Sequence, residues 1–290
     1  MGAGTPVGKK EIPEHRVAIT GARGLLGATA ARVLSDVSVL DADVRDIEAL
    51  KKAVGASDAS WILHAAAKTD VGACERDPDE AYAVNAEGTK NVVDAARASG
   101  AHVLYISTAS VFSGKEGNYR ETDVPAPENV YNKSKVKGEE YILAYEKGIV
   151  LRVNLIGVHP DGSRGKNFME WLVDSLRANT DMNAFTDVMV NPLSNWTIAD
   201  HIKKIIEQGS GERILHIASS DVLSKADIIE MAAARFPAYS GTITRASVDF
   251  VADGVRRPKQ MWLNCDYTKE RLGITMPSVP SEIETIFAHL

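Results

Sequence analysis

The chain has 290 residues, of which 44% are hydrophobic and 25% are charged, a composition typical of a globular protein. At about 150 residues per domain, the length indicates about two domains and a core that needs no disulfides or metal ions. The formal net charge of −6 argues against nucleic acid as the main partner. No apolar run reaches the ~18 residues of a transmembrane helix, so we expect no membrane partner.

The start of the chain and its cysteines bear on location. Residues 1–14 are rich in Gly, Pro and Lys and lack hydrophobic periodicity, which predicts a flexible tail. Lys9 and Lys10 are not followed by an apolar segment, so the pattern is not that of a secretory signal. Cys74 and Cys265 are too few for a disulfide framework or a zinc site, and we predict no metal site. We therefore expect a cytoplasmic protein with reduced thiols.

Short apolar runs alternate with helical patterns through the first half of the chain. The runs predict strands at residues 16–20, 37–40, 61–64, 102–107 and 149–153. Helical patterns cover residues 25–34, 46–54, 78–99 and 130–145. Strands that alternate with helices of about 10 residues indicate βαβ units, so the sequence predicts an α/β fold with a doubly wound parallel sheet.

The second half is less regular. Helices are predicted at residues 168–176, 198–207 and 225–234, and a strand at 213–217. We expect residues 15–158 to form the sheet domain. Residues 159–290 should form mainly a smaller C-terminal lobe, with some segments returning to the sheet.

A glycine-rich turn, Thr20-Gly-Ala-Arg-Gly-Leu-Leu-Gly27, joins the first predicted strand to the first helix. Glycines at this spacing allow a sharp turn, close approach of a pyrophosphate and close packing of the helix on the strand. The helix N-terminus then offers free N–H groups to the phosphates. An acidic residue about 20 positions on holds the ribose in such sites, and Asp41 stands there. We predict that residues 15–158 are a Rossmann domain that binds NAD or NADP.

The preference between the two cofactors stays open at this point. Asp41 favours a free ribose 2′-hydroxyl and repels a 2′-phosphate. Arg23 and Arg45 can offset that repulsion by pairing with the phosphate.

Tyr131 and Lys135 are four residues apart in a predicted helix and therefore share one face. A neighbouring ammonium favours the phenolate, so we expect Lys135 to lower the pKa of Tyr131 from its usual value near 10. A tyrosine tuned in this way can act as general acid or base. Ser107-Thr108 follows a predicted strand at its carboxyl end, where open α/β sheets bind ligands. We predict that Thr108 hydrogen-bonds the reacting oxygen and that Lys135 also holds a cofactor ribose.

Four segments in this order, TGARGLLG, HAAAKTDV, YISTASVF and YNKSK, resemble the extended short-chain dehydrogenase/reductases. The resemblance covers nearly all of the chain after the first 14 residues and implies an NAD(P)-dependent oxidoreductase with Thr108, Tyr131 and Lys135 as catalytic residues. It also implies that small residues lie beside the nicotinamide and that the strip at Asp43-Val44 contacts the adenine. The cofactor-binding residues that we predict are Gly21, Arg23, Gly24, Leu25, Leu26, Gly27, Asp41, Asp43, Val44, Ala65, Ala66, Ala67, Tyr131 and Lys135.

Within this superfamily the chain is most similar to the dTDP-4-dehydrorhamnose reductases. The segments that carry the similarity are residues 65–69 with Glu75 and Pro78, 119–123, 165–168, and 257–258 with 263–274. They imply a C-terminal substrate-binding lobe and hydride transfer to a keto group of a nucleotide-linked sugar, in an enzyme that is a possible homodimer.

Two segments depart from that subgroup. Ala109-Ser110 stands where the reductases have Asp-Tyr, and Gly72-Ala73 stands where they have Asp-Lys. The stretch at residues 107–111 also resembles sugar-nucleotide epimerases, which hold NAD tightly. An epimerase and a non-catalytic NAD(P)-binding regulatory subunit are therefore the alternatives to a reductase.

Several other polar and aromatic residues have structural interpretations. We expect His64 to be a hydrogen-bonded core histidine, and Asn85 and Thr89 to support the active site from a helix. Phe168 and Trp171, on another predicted helix, are interpreted as core or interface residues rather than as a platform for a sugar.

Overall fold

Helices and strands alternate along most of the chain in this computed structural model, which describes residues 15–162, 167–209, 211–250 and 254–290. The tail predicted for residues 1–14 lies outside the described residues. The strands are β1 (Val17–Thr20), β2 (Val37–Val39), β3 (Trp61–His64), β4 (His102–Thr108), β5 (Gly148–Val153), β6 (Leu155–Ile156), β7 (Met182–Phe185), β8 (Met189–Val190), β9 (Leu193–Ser194), β10 (Ile214–Ile217), β11 (Leu223–Ser224) and β12 (Ile243–Ala246).

The α-helices are α1 (Leu25–Val33), α2 (Ile47–Ser57), α3 (Val71–Arg76), α4 (Pro78–Tyr82), α5 (Gly88–Ser99), α6 (Val130–Leu143), α7 (Phe168–Arg177), α8 (Asn195–Gln208), α9 (Lys225–Ala233), α10 (Asp266–Leu272) and α11 (Val279–Phe287). Side-chain caps define several helix starts; the Asn129 side chain, for example, accepts a hydrogen bond from the Asn132 N–H at the start of α6. Gly100 ends α5 with a φ of 76°, a left-handed conformation that favours glycine at a helix C-terminus.

A parallel sheet with the strand order β10-β5-β4-β3-β1-β2 confirms the predicted fold class. Strands β1, β3 and β5 are buried along their whole length because helices cover both faces of the sheet. Alternate side chains enter two separate cores: Ile19 packs with residues of α1 and α8, whereas Ala18 packs with residues of α2 and α5. The strand order reverses between β1 and β3, which is where such sheets bind ligands.

A third hydrophobic core lies in the C-terminal half and joins residues between Ile156 and Ile286. It includes residues of α7, α9 and α11 and of the short strands β7 and β8. Two later elements return to the main sheet: β10 pairs with β5, and α8 packs on α1. The Asn195 side chain in α8 donates a hydrogen bond to the Thr29 hydroxyl in α1 at 2.7 Å.

The prediction of one regular helix over residues 78–99 is wrong in its middle. A π-helical turn at Ala83–Glu87 separates α4 from α5 and carries Asn85 on its buried side. Gly88 follows this turn and packs closely against Val44, since a Cβ on Gly88 would lie 2.6 Å from Cγ2 of Val44. Such wide turns are frequent near functional sites.

Candidate active site

A cavity of about 540 Å³ opens at the carboxyl ends of β1, β3, β4 and β5. The predicted residues that line it are Gly24, Leu25, Leu26, Gly27, Ala65, Ala67, Thr108, Tyr131 and Lys135. Thr108 and Val153 pair across β4 and β5, so both strands end at this edge. All three predicted catalytic side chains thus lie in one cavity with the glycine turn.

The glycine turn has the geometry of a phosphate cradle. Gly21 has a φ of +70°, and a Cβ there would lie 2.5 Å from the Ala66 nitrogen. The Gly24 N–H donates to the Gly21 carbonyl at 2.9 Å and closes the turn. No side chain caps α1 at Gly24, so its first N–H groups remain available to an anion. These residues fit the pyrophosphate of a dinucleotide.

The acidic residues after β2 form exposed ion pairs. Asp41 accepts a hydrogen bond from Arg23 at 2.5 Å, and both side chains are more than 80% exposed, at 81% and 87%. Asp43 binds Arg45 at 2.6 Å, and hydrogen bonds from Arg45 lower the pKa of Asp43 to about 2. The pairs leave Arg23 and Asp41 together at the position where a ribose 2′-group is expected.

The structure does not place every predicted cofactor residue in the cavity wall. The residues outside the lining are Gly21, Arg23, Asp41, Asp43, Val44 and Ala66. Val44 is a core residue with 5% exposure, and Ala66 lies against the turn and donates its N–H to the Thr20 hydroxyl. Cofactor contact stays a prediction at all the predicted positions, these six included.

Lys135 is buried to 2% exposure, and its ammonium donates a hydrogen bond to the Ile106 carbonyl at 2.8 Å. It also lies 4.0 Å from the centroid of the Tyr105 ring. Burial lowers the pKa of Lys135 to about 7, opposed by the negative charge of Glu139. The protonated form of Lys135 is therefore stabilised by the Ile106 carbonyl and by the charge of Glu139, in place of water.

The expectation that Lys135 lowers the pKa of Tyr131 is wrong in this structure. Burial raises the pKa of Tyr131 well above 10, with a smaller contribution from Cys74. The physical reason is that the cavity wall removes water from the hydroxyl while the ammonium of Lys135 is directed to the Ile106 carbonyl. Tyr131 therefore keeps its proton at neutral pH, which suits a proton donor.

Thr108 ends β4 beside the cavity, and its hydroxyl lies 3.0 Å from the hydroxyl of Ser110. The Ser110 N–H donates to the same Thr108 oxygen at 3.1 Å. Both residues line the cavity. The pair is therefore held by local hydrogen bonds at the edge of the sheet where Tyr131 also lies.

The π-helical turn connects two parts of the site, as expected for Asn85. Its side chain accepts from the Lys68 N–H and donates to the Ser134 hydroxyl, at 2.8 and 3.0 Å. It thereby ties the segment after β3 to the helix that carries Tyr131. His64 is fully buried, and its two ring nitrogens contact the hydroxyls of Thr20 and Thr89. The prediction of a hydrogen-bonded core histidine is confirmed.

The C-terminal half of the chain supplies many residues of the cavity lining, and the sequence did not predict most of them. These residues are Asn154, Leu155, Ile156, Asn167, Phe168, Met169, Val190, Pro192, Lys225, Ile228 and Met261. Phe168 thus lies in the cavity wall, whereas Trp171 is 43% exposed. Apolar spacing marks α7 and α9 as helices, but nothing in one sequence indicates which side chains face the sheet domain.

A family model described as the RmlD substrate binding domain matches residues 15–290. The chain belongs to this family. A "probable low-salt glycan biosynthesis reductase Agl14" of Haloferax volcanii is 26% identical over 294 residues, 93% of this chain and 96% of the relative. A dTDP-4-dehydrorhamnose reductase of Mycobacterium tuberculosis is 31% identical over 224 residues, 73% of this chain and 72% of that enzyme.

The chain is also similar to a protein that is not named as a reductase. The methionine adenosyltransferase 2 subunit beta of Rattus norvegicus is 28% identical over 294 residues, covering 91% of this chain and 84% of that one. Among solved structures, dTDP-4-dehydrorhamnose reductase of Bacillus anthracis, in complex with NADP, has a TM-score of 0.88. It is 26% identical, and the alignment covers 96% of this chain and 100% of that one.

Family, fold and cavity together define the class of the protein. It is an NAD(P)-dependent oxidoreductase of the extended short-chain dehydrogenase/reductase type, as the resemblance implied. In the part of the chain that the structure describes, no helix is both long and apolar enough to cross a membrane.

Proposed function

We propose that the protein reduces a keto group of a nucleotide-linked sugar with NAD(P)H. The observation that carries the proposal is the single cavity that joins Thr108, Tyr131 and Lys135 to the uncapped start of α1. The names of the relatives support the choice of a nucleotide sugar as substrate class.

The three catalytic residues have different roles, which follow from their surroundings. When bound, the reduced nicotinamide supplies the hydride that converts the carbonyl carbon to a secondary alcohol carbon. Tyr131 keeps its proton because burial raises its pKa, and it gives that proton to the carbonyl oxygen as the hydride arrives. Thr108 donates a hydrogen bond to the same oxygen, and Lys135 holds the nicotinamide ribose.

Ala109 and Ser110 are the reason why we propose a class of substrates and not one particular sugar. They stand where the resembling reductases have Asp and Tyr, and Ser110 is occupied by its hydrogen bond to Thr108. We therefore assign the substrate class, a nucleotide-linked keto sugar, and test dTDP-4-dehydrorhamnose as the first member of it.

The test is an absorbance assay at about 340 nm with purified protein, NADPH or NADH, and dTDP-4-dehydrorhamnose. Oxidation of one cofactor per keto sugar is expected. An epimerase would instead retain about one NAD per chain through purification and consume none. A regulatory subunit would bind the cofactor but turn over no keto sugar, and either result would overturn the proposal. The cysteine content predicts a cytoplasmic protein, which cell fractionation tests. The resemblance implies a possible homodimer, which analytical ultracentrifugation tests.

The Arg23–Asp41 pair is expected to set the preference between NADPH and NADH. Arg23→Ser should weaken NADPH binding about tenfold and leave NADH binding nearly unchanged, because the lost contact is an exposed one to the 2′-phosphate. Asp41→Asn should do the reverse, because it removes the carboxylate charge that favours the ribose hydroxyl and repels a 2′-phosphate. Arg16→Ser is the matched control, since it breaks the exposed pair of Arg16 with Asp36, neither of which is a predicted cofactor residue. Fluorescence titration measures both affinities, and equal changes for the two cofactors would contradict this assignment.

A further inference from the structure

Lys225 is the first residue of α9 and lines the same cavity as the glycine turn. Its ammonium is 5.3 Å from the centroid of the Phe168 ring, and Phe168 lines the same cavity. The site thus has a cation from the C-terminal half that the chemistry described above does not use.

The charged side chains that line the cavity, among the described residues, are all positive. Among the described residues that line it, the charged side chains are Lys135 and Lys225, and none is a carboxylate. Lys135 is already bonded to the Ile106 carbonyl. The nearest acid on α9 is Asp227, which binds Ser224 and Arg245. The described part of the chain therefore gives Lys225 no carboxylate partner.

Two features make this position unfavourable for a cation. Burial lowers the pKa of Lys225, and the positive charge of Arg257 lowers it further. Each of these costs falls when an anion occupies the cavity beside Lys225.

We propose that Lys225 binds the diphosphate of the nucleotide-linked substrate. The cofactor has its own phosphate cradle at the start of α1, in the same cavity. If that cradle holds the cofactor while the sugar of the substrate reaches Tyr131, the lining residues of the C-terminal half are left for the nucleotide part of the substrate. The inference rests on the proposed function because it names the second anion that the cavity receives.

The test compares binding of dTDP and thymidine to the whole protein by titration calorimetry with NADP present. Lys225→Met keeps the length and apolar stem of the side chain. It should weaken dTDP binding on the order of 10- to 100-fold and leave thymidine and NADPH binding unchanged. Lys225→Arg should retain most of the affinity. Lys204→Met, which removes an exposed lysine on α8, is the matched control and should change nothing.

Each outcome has one interpretation. Unchanged dTDP affinity in Lys225→Met overturns the inference, and weakened NADPH with unchanged dTDP assigns Lys225 to the cofactor instead. In steady state, Lys225→Met should raise KM for the keto sugar while kcat changes less than threefold. The two proposals can also fail separately. If the wild-type protein turns over no keto sugar while Lys225→Met weakens dTDP binding, the reductase proposal fails and the binding inference stands.

Discussion

Replacing Tyr131 with phenylalanine is expected to lower turnover by about 10²- to 10⁴-fold, the usual contribution of a positioned proton donor. The change removes one hydroxyl from the cavity wall and leaves the ring in place. Gly21 to Gly27 and Lys135 are untouched, so NADPH affinity should stay within about threefold of wild type. Single-turnover kinetics and fluorescence titration measure the two quantities separately.

Tyr141 provides a matched control on the same helix. Its hydroxyl donates to Glu87 at 3.0 Å outside the cavity, so Tyr141→Phe should leave turnover unchanged. Near-normal turnover of Tyr131→Phe, with Tyr141→Phe equally active, would show that another group supplies the proton. Loss of both turnover and NADPH affinity in Tyr131→Phe would indicate a binding role instead.

The sheet domain could be predicted closely from the sequence because parallel strands are buried on both faces and appear as short apolar runs. The predicted strand at residues 61–64 coincides with β3 (Trp61–His64). Helix ends were also readable where a specific residue sets them, as Gly100 does for α5. The glycine turn and the helix beginning near Tyr131 lie at the carboxyl edge of this sheet, so their meeting in one cavity follows from the topology.

The C-terminal half could not be predicted in the same way. Strands β6, β8, β9 and β11 have two residues each, too few for an alternating pattern, and they pair with distant segments. Lys225 follows a capping serine, as many exposed helix residues do, and only the tertiary packing places it against Phe168. The direction of the Lys135 ammonium is likewise a tertiary property, which is why the pKa of Tyr131 was expected to move the other way.

A buried ion pair beneath the cavity is expected to have the largest effect on stability. Arg152 on β5 and Glu139 on α6 are 1% and 2% exposed, and their side chains form two hydrogen bonds at 2.7 and 3.0 Å. Ser107, next to Thr108, donates to Glu139 at 2.5 Å. Arg152→Met should lower the free energy of unfolding by about 3–5 kcal/mol, because it leaves the carboxylate of Glu139 buried without its partner. Urea denaturation at pH 7 measures the loss.

A variant that lacks both Arg152 and Glu139 distinguishes the loss of stability caused by an unpaired buried charge from the contribution of the ion pair itself. With Glu139→Leu added to Arg152→Met, neither charge of this pair remains, so a large part of the lost stability should return. Lys90→Met, which breaks the exposed pair with Asp94, should cost less than about 1 kcal/mol. A double variant less stable than either single variant would mean that the pair contributes through packing and its bond to Ser107 instead.

Glu139 also affects the chemistry, since it is one turn beyond Lys135 and its negative charge raises the pKa of that lysine. Other groups near the ammonium are Tyr105, which lies beneath it, and His64, whose own pKa falls to about 3 through burial and the charge of Lys135. With those groups uncharged, Glu139→Gln should lower the pKa of Lys135 further below about 7. Because the lysine must be protonated to hold the ribose, the fall in turnover at high pH should then begin at lower pH. A purely structural role for Glu139 would lower stability and leave the pH profile of the folded enzyme where it was.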